Sequence, residues 1–439
     1  MDQDMERLTP KPEITTSLDI QTIFHPAIQR LMGFKARLDG QPVPEEITPG
    51  WQQNLGFTDI ESAVRSYYLR EDGIAPLKIP DEEIEGKIRG IPLAVNQAIS
   101  KRTGRETDYW KLVGVKENVL LNELSYRYYM AREVLAPLIT LWMYKTMAEF
   151  SQVSEPKKIA FLYRDGYLPE VFARFLAQSG LPNINVREED LVAVDLNRIN
   201  VYEDPGNVLN RNYNPNLRPY LRDKLGEDKG GVVFVVDTGT SGTMIPPVVD
   251  NYPKFSVHAR YYELANDFKI PAKSARSFKD PSVKIGFGEI EHTLIPKAAD
   301  GEYRERSIDF EETNGHWEPV TRTKSDPVES AYLMASEMGY RDYLQEVAEG
   351  KRSVPALETD AHELQQMAQV LLGDSNNQFG YSTIQNLGVQ MPQALQPDID
   401  DTQELMRLKQ AMRDQKQQQD LKNNPQIILS PDKINYPNK

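Results

Sequence analysis

Three short apolar runs, "KKIAFLYRD" (157–165), "DLVAVDLN" (190–197) and "GGVVFVVDTG" (230–239), constrain this chain more than any other feature. Each is rich in Val, Ile or Phe, and each reaches an aspartate as its apolar stretch ends. Continuous apolar runs of this length are strands covered on both faces, as in parallel sheets flanked by helices. The first and third runs lead into stretches with helical potential, "YLPEVFARFLAQSG" and "GTMIPPVVDNYP", and "FSVHARYYEL" (255–264) is a further candidate strand. The predicted fold class is α/β: a parallel Rossmann-like sheet flanked by helical N- and C-terminal regions.

At 439 residues the chain exceeds the ~250–300 residues at which single cores stop growing, so accessory regions are expected around the sheet. Residues 1–115 read as an irregular, mostly helical region broken by "DGQPVPEEITPG" (39–50) and "DGIAPLKIPDEE" (72–83). Residues 116–154 read as a long helical segment packing on the core, with Leu120, Leu124, Tyr128, Val134, Leu138, Leu141 and Met147 near helical spacing. Pro137 is expected to kink or divide it. The α/β domain follows over 155–320 and a helical region over 321–394. A flexible Gln/Asn-rich tail, 395–439, carries one marginal helix on the stripe Leu405, Leu408, Met412.

The formal net charge of -14 argues against nucleic-acid binding through a basic face. With no cysteine, disulfides, thiolate nucleophiles and Cys-ligated metals are excluded. The start "MDQDMERLTPKPEITTS" has no apolar h-region, and "VLAPLITLWMY" (134–144) is far shorter than the ~20 residues of a membrane span, so a cytoplasmic protein is expected. Of the five histidines, only His292, near Glu289 and Glu291, has surroundings that merit a test.

The chemistry-bearing stretch is Asp237-Thr238-Gly239-Thr240-Ser241-Gly242-Thr243. As half of an aspartic-protease dyad it would need a second carboxylate sharing its proton, and no second Asp-Thr-Gly or Asp-Ser-Gly occurs. As a phosphate cradle it sits where open parallel sheets bind ligands, beyond the carboxyl ends of the strands, and offers N–H groups, hydroxyls and a following helix start.

In that second form the stretch resembles the diphosphoribosyl-binding signature of the phosphoribosyltransferases. Val236 and Asp237 take the acid pair, and Thr240, Ser241 and Gly242 the 5'-phosphate loop. Val236 replaces the first acid and Met244 the closing Ser/Thr. "KIAFLYRDGYLPEVFARFLA" resembles the family's early strand, pyrophosphate-facing turn and helix, with Asp165 in place of the first Gly after Arg164.

A haloacid-dehalogenase-like phosphatase is the third form. "FLYRDGYL" resembles its Asp-x-Asp-Gly motif with Tyr163 at the nucleophile position; starting from Asp237 instead puts Gly239 at the acid position. More broadly, residues 130–300 resemble a bacterial module labelled haloacid-dehalogenase-like and associated with glycosyltransferases. It carries a Phe-Leu-x-Arg-Asp-Gly strand end, a Ser-Arg strand end (here Asn197-Arg198) and an Asp-x-Gly-x-x-Gly-Thr loop.

If the three strands are parallel neighbours, Asp165, Asp195 and Asp237 converge at one edge beside Arg164, Arg198 and the 238–243 loop. Such a set suits Mg2+ shared with a substrate phosphate. The expected roles are Asp237 on ribose hydroxyls or metal, Asp165 on metal, and Arg164 neutralising a leaving phosphate. Thr238, Gly239, Thr240, Ser241, Gly242, Thr243, Arg198 and Asp195 would bind the ligand. The structural alternative has Asp165 and Asp195 capping helices or pairing with Arg164 and Arg198. "NRNYNPNLRPYLRDK" (210–224) reads as a mobile lid or a surface excursion.

Two function classes follow. One is transfer or hydrolysis at a phosphorylated sugar or nucleotide such as phosphoribosyl pyrophosphate. The other is a catalytically degenerate module that engages a protein partner through its helical regions or its tail.

Overall fold

The computed structural model describes residues 14–38, 41–42, 46–47, 82–106, 108–112, 114–115, 117–163, 165–239, 242–264, 271–283, 290, 293–297, 303–323 and 327–372. Most of the turn-rich stretches at 39–50 and 72–83, and the whole 395–439 tail, lie outside the described residues.

Five parallel strands form the central sheet: β2 (Lys157–Tyr163), β3 (Leu191–Asp195), β4 (Gly231–Asp237), β5 (Phe255–Tyr261) and β6 (Ser274–Ser277), in the order β3-β2-β4-β5-β6. β1 (Thr16–Ser17) pairs separately with β9 (Val354–Pro355). The chain steps from β2 to one side to make β3, then crosses back to place β4 on the other side of β2. The direction of winding reverses between β2 and β4, and that reversal opens the crevice in which Rossmann-like sheets bind ligands.

Side chains alternate across a strand, so a run buried on both faces must meet two cores. On one face Ile159, Phe161, Phe234 and Val236 pack with α6 (Ala136–Ser151) and α7 (Tyr167–Ala177), and that core continues into α11 (Pro327–Ala348) and α12 (Ala361–Leu372). On the other, Leu162, Val194, Val233, Val235 and Ala259 pack with α9 (Leu217–Leu225) and α10 (Ile245–Asn251). Each fully buried Val or Phe contributes about 1.5–3 kcal/mol, which is why both parities of these runs are apolar. The 210–224 stretch is no mobile lid. It carries α9, whose Leu217, Tyr220 and Leu221 are buried under the sheet.

The N-terminal elements are α1 (Ile20–Ile23), α2 (His25–Leu38), α3 (Glu82–Thr103) and α4 (Tyr109–Leu112). α5 (Glu117–Tyr129) then runs through a π-helix (Met130–Leu135) into α6. Pro137 accounts for the break, because it has no N–H to give to the carbonyl four residues back. The Ala136 N–H bonds to the Ala131 carbonyl, five residues back, and the widened turn absorbs the defect. α11 crosses α5 at Gly339, where a Cβ would collide with the Tyr128 carbonyl.

Two features were not read from the sequence. β6, "SARS", is a short, polar edge strand. The antiparallel hairpin of β7 (Arg304–Thr313) and β8 (His316–Thr323) turns on Asn314-Gly315, both with positive φ (54° and 84°), the pair that two-residue hairpin turns favour. Among the described residues, no helix is long and apolar enough to cross a membrane.

Candidate functional site

Asp237 ends β4 half-buried, and its carboxylate accepts the Gly239 N–H at 3.1 Å, folding the chain into a turn at once. The Tyr262 N–H donates to the Asp237 carbonyl at 3.1 Å, which ties the end of β4 to the residue after β5. Gly242 adopts φ +62°, a left-handed conformation that a side chain would strain, and so the loop can turn toward α10.

Thr243 fixes the far end of the loop. Its hydroxyl accepts from Arg198 Nε at 3.5 Å, and its carbonyl accepts from the Tyr202 hydroxyl at 2.8 Å. Arg198 opens α8 (Arg198–Val201), the short helix after β3, so residues from two strand ends meet across the end of β2. Thr238 is fully buried, and its Oγ1 has no hydrogen-bond partner among the described residues. Tyr261 stands in register with Asp237, and burial together with the Asp237 charge pushes its phenol well above the usual range.

The β2 end is built differently. The Gly166 N–H bonds to the Leu162 carbonyl at 2.6 Å, and a Cβ on Gly166 would lie 2.5 Å from that oxygen. Only glycine fits this turn, which carries the half-buried Asp165. The Tyr163 hydroxyl donates to the Glu170 carboxylate on α7, which Arg174 also grips at 2.7 Å. Burial, then the Glu170 charge, pushes the Tyr163 phenol well above its usual range. The position that a haloacid-dehalogenase nucleophile would occupy therefore holds a packed phenol.

At the end of β3, Asp195 is 8% exposed and serves a buried polar cluster. Its carboxylate accepts from the Ser307 hydroxyl and from Asn200 Nδ2, and its N–H donates to the Tyr220 hydroxyl at 2.6 Å. Asn197 caps α8 and reaches the Ser307 carbonyl at 2.9 Å, while Asn214 bonds to Asp309 at 2.7 Å. These contacts clasp the β7–β8 hairpin onto the strand end. Ser307, Tyr220 and Tyr202 escaped the sequence reading, since only the Asn197/Asn200 capping spacing carried a local signal.

The structure thus brings Asp237, Thr238, Gly239, Gly242, Thr243 and Arg198 to one loop, sets Asp165 in the turn of the adjacent strand, and ties Asp195 to the hairpin. Arg164, Thr240, Ser241 and His292 lie outside the described residues. No group of three His, Cys, Asp or Glu side chains placed to hold a metal occurs among the described residues. A cleft of about 310 Å³, lined by Arg218, Arg222, Asp228 and Tyr252, lies at the opposite, amino end of β4. No protein-family model and no curated protein matches the chain.

Proposed function

We propose that this chain binds a phosphorylated sugar or nucleotide of the phosphoribosyl pyrophosphate type at the 237–243 loop, and catalyses transfer or hydrolysis there. The observation that carries the reading is the position of the loop. It follows β4 at the reversal of the sheet, and Arg198 arrives from the other side of β2 to meet it. In this reading the backbone and hydroxyls of 238–243 hold the phosphate, and Asp237 orients ribose hydroxyls. Arg164 meets the leaving phosphate, and Arg198 adds positive charge. Asp195 supports the site through α8 instead of touching the ligand.

Mg2+ would be held by Asp237 and Asp165, and would supply charge neutralisation on the phosphates. Two carboxylates suffice for an ion that takes most of its oxygens from substrate and water.

A binding-only module is favoured by one specific observation. Val236, at the first acid position of the phosphoribosyltransferase signature, is fully buried in the core beneath α6. A protein with that substitution binds the same ligand but has one ribose acceptor fewer. Crystals grown in phosphate test the binding both readings share: an anion is expected on the N–H groups of 239–243, and a loop without one contradicts both. Release of pyrophosphate or phosphate from the ligand then separates enzyme from binder.

A further inference from the structure

The helical half of the molecule holds a second concentration of charge, centred on the π-helix. Glu133 is fully buried, and both its oxygens are taken by Arg30, at 2.5 and 3.1 Å. Burial opposes its charge, but Arg30, Arg132 and Arg352 outweigh that and hold its carboxyl below the usual carboxylate range. With Glu133 so occupied, Arg132 and Arg352 converge on one remaining carboxylate, Glu346 of α11. Arg132 Nη2 bonds to Glu346 Oε1, and Arg352 Nη1 stands 3.6 Å from Oε2. Two guanidiniums thus share the single carboxylate of Glu346.

The donors do not balance either. Arg352, 8% exposed, gives Nη1 to the Arg132 carbonyl at 2.8 Å, but its Nη2 is buried with no acceptor. Arg132 Nε is likewise buried without an acceptor. Leaving a buried charged donor unpaired is costly, so Arg132 Nε and Arg352 Nη2, on two side chains that meet the same carboxylate, mark a missing acceptor. The edge of the seam meets solvent, since 17% of the Arg132 side chain and 24% of the Glu346 side chain are exposed, and the two orphan donors lie beneath that edge.

We infer that this seam is a binding site for a tetrahedral oxyanion, inorganic phosphate or a phosphate monoester, held by Arg132 Nε and Arg352 Nη2. A carboxylate matches the two parallel donors of a single guanidinium. The orphan donors here belong to two side chains, which suits an anion presenting oxygens in more than one plane. The site is separate from the 237–243 loop and does not depend on the reading of that loop.

The test uses the full chain labelled with 15N-arginine and follows the Arg132 Nε–Hε resonance, assigned by its loss in Arg132→Lys. Titration with inorganic phosphate at constant ionic strength is expected to shift it saturably, where added chloride does not. Arg352→Lys, which keeps the charge but loses Nη2, is expected to weaken that response at least tenfold. Thr243→Val, which disturbs only the loop, leaves it intact. A parallel titration with ribose 5-phosphate separates the free ion from an esterified group, by which of the two saturates at lower concentration. No saturable shift with either probe in the wild type overturns the site, as does an undiminished response in a folded Arg352→Lys. If Arg352→Lys does not fold, the wild-type titration decides alone.

Discussion

Arg198 Nε lies 3.5 Å from Thr243 Oγ1, so the helix that begins after β3 touches the loop that ends β4. Because β2 runs between those two strands, the contact spans its carboxyl end. Any ligand seated at the reversal of the sheet lies beside this bridge, which anchors Thr243 to the start of α8. Arg198→Gln and Thr243→Val are each expected to raise the Kd for phosphoribosyl pyrophosphate about tenfold, the order of one hydrogen bond to a charged group. Calorimetric titration of the two variants measures this; unchanged affinities place the ligand elsewhere.

The turn after β2 predicts a loss of stability. Gly166→Ala forces a Cβ against the Leu162 carbonyl, whose oxygen would be 2.5 Å away. A cost of about 1–3 kcal/mol is expected, the range for overpacking at a closed site. Urea unfolding reads it as a lowered midpoint with an unchanged slope, and a wild-type midpoint would mean the turn has room to open.

Asp195 offers a prediction that separates support from ligand contact. Asp195→Ala removes the acceptor of the Ser307 hydroxyl inside a buried cluster, at about 1–3 kcal/mol, while Asn200 Nδ2 keeps the Asp195 backbone carbonyl. Amide hydrogen exchange is expected to accelerate across 304–323, the hairpin that the cluster clasps. Equal protection in wild type and variant would show that the hairpin is held by other contacts.

Much of the frame was legible because it is local. The runs ending at Asp165, Asp195 and Asp237 are apolar at both parities, and the structure shows why: each strand interior faces two cores. The parallel sheet, β5, and the helices after β2, β4 and residue 325 all follow from such patterns. What escaped was non-local or weakly marked. Ser307 meets Asp195 across 112 residues, and no periodicity encodes that meeting. β6 is an edge whose four residues carry little apolar signal. The hairpin does leave a mark, Asn314-Gly315, a turn pair set inside a region whose other runs spell α/β. At the site, the loop and the Arg198 contact agree with a common edge for the three strand ends. The Tyr163–Glu170 bond shows how a strand-end residue that looks like chemistry in one dimension can be packing in three.

Acid sensitivity has an assignable source in His258, which is stacked on Phe234 at 5.1 Å and bonded to the Ser274 hydroxyl at 2.9 Å. Burial, followed by the charges of Arg260 and Lys273, holds its imidazole below the usual histidine range, against the opposing pull of Glu149. The unfolded chain therefore binds this proton more readily than the native one. As pH falls below about 6.5, the unperturbed value, stability decreases. Thermal unfolding between pH 7.5 and 5.5 is expected to show a falling Tm in the wild type and a shallower fall in His258→Phe. Parallel slopes would assign the sensitivity to other groups.

Binding of a phosphorylated sugar at the proposed Asp237 site is read most directly by calorimetric titration of the full chain with phosphoribosyl pyrophosphate and Mg2+, for wild type and for Asp237→Ala. Saturable heat is expected from the wild type, with at least a tenfold loss of affinity in a folded Asp237→Ala. No heat from the wild type, or equal binding by the two proteins, contradicts that site.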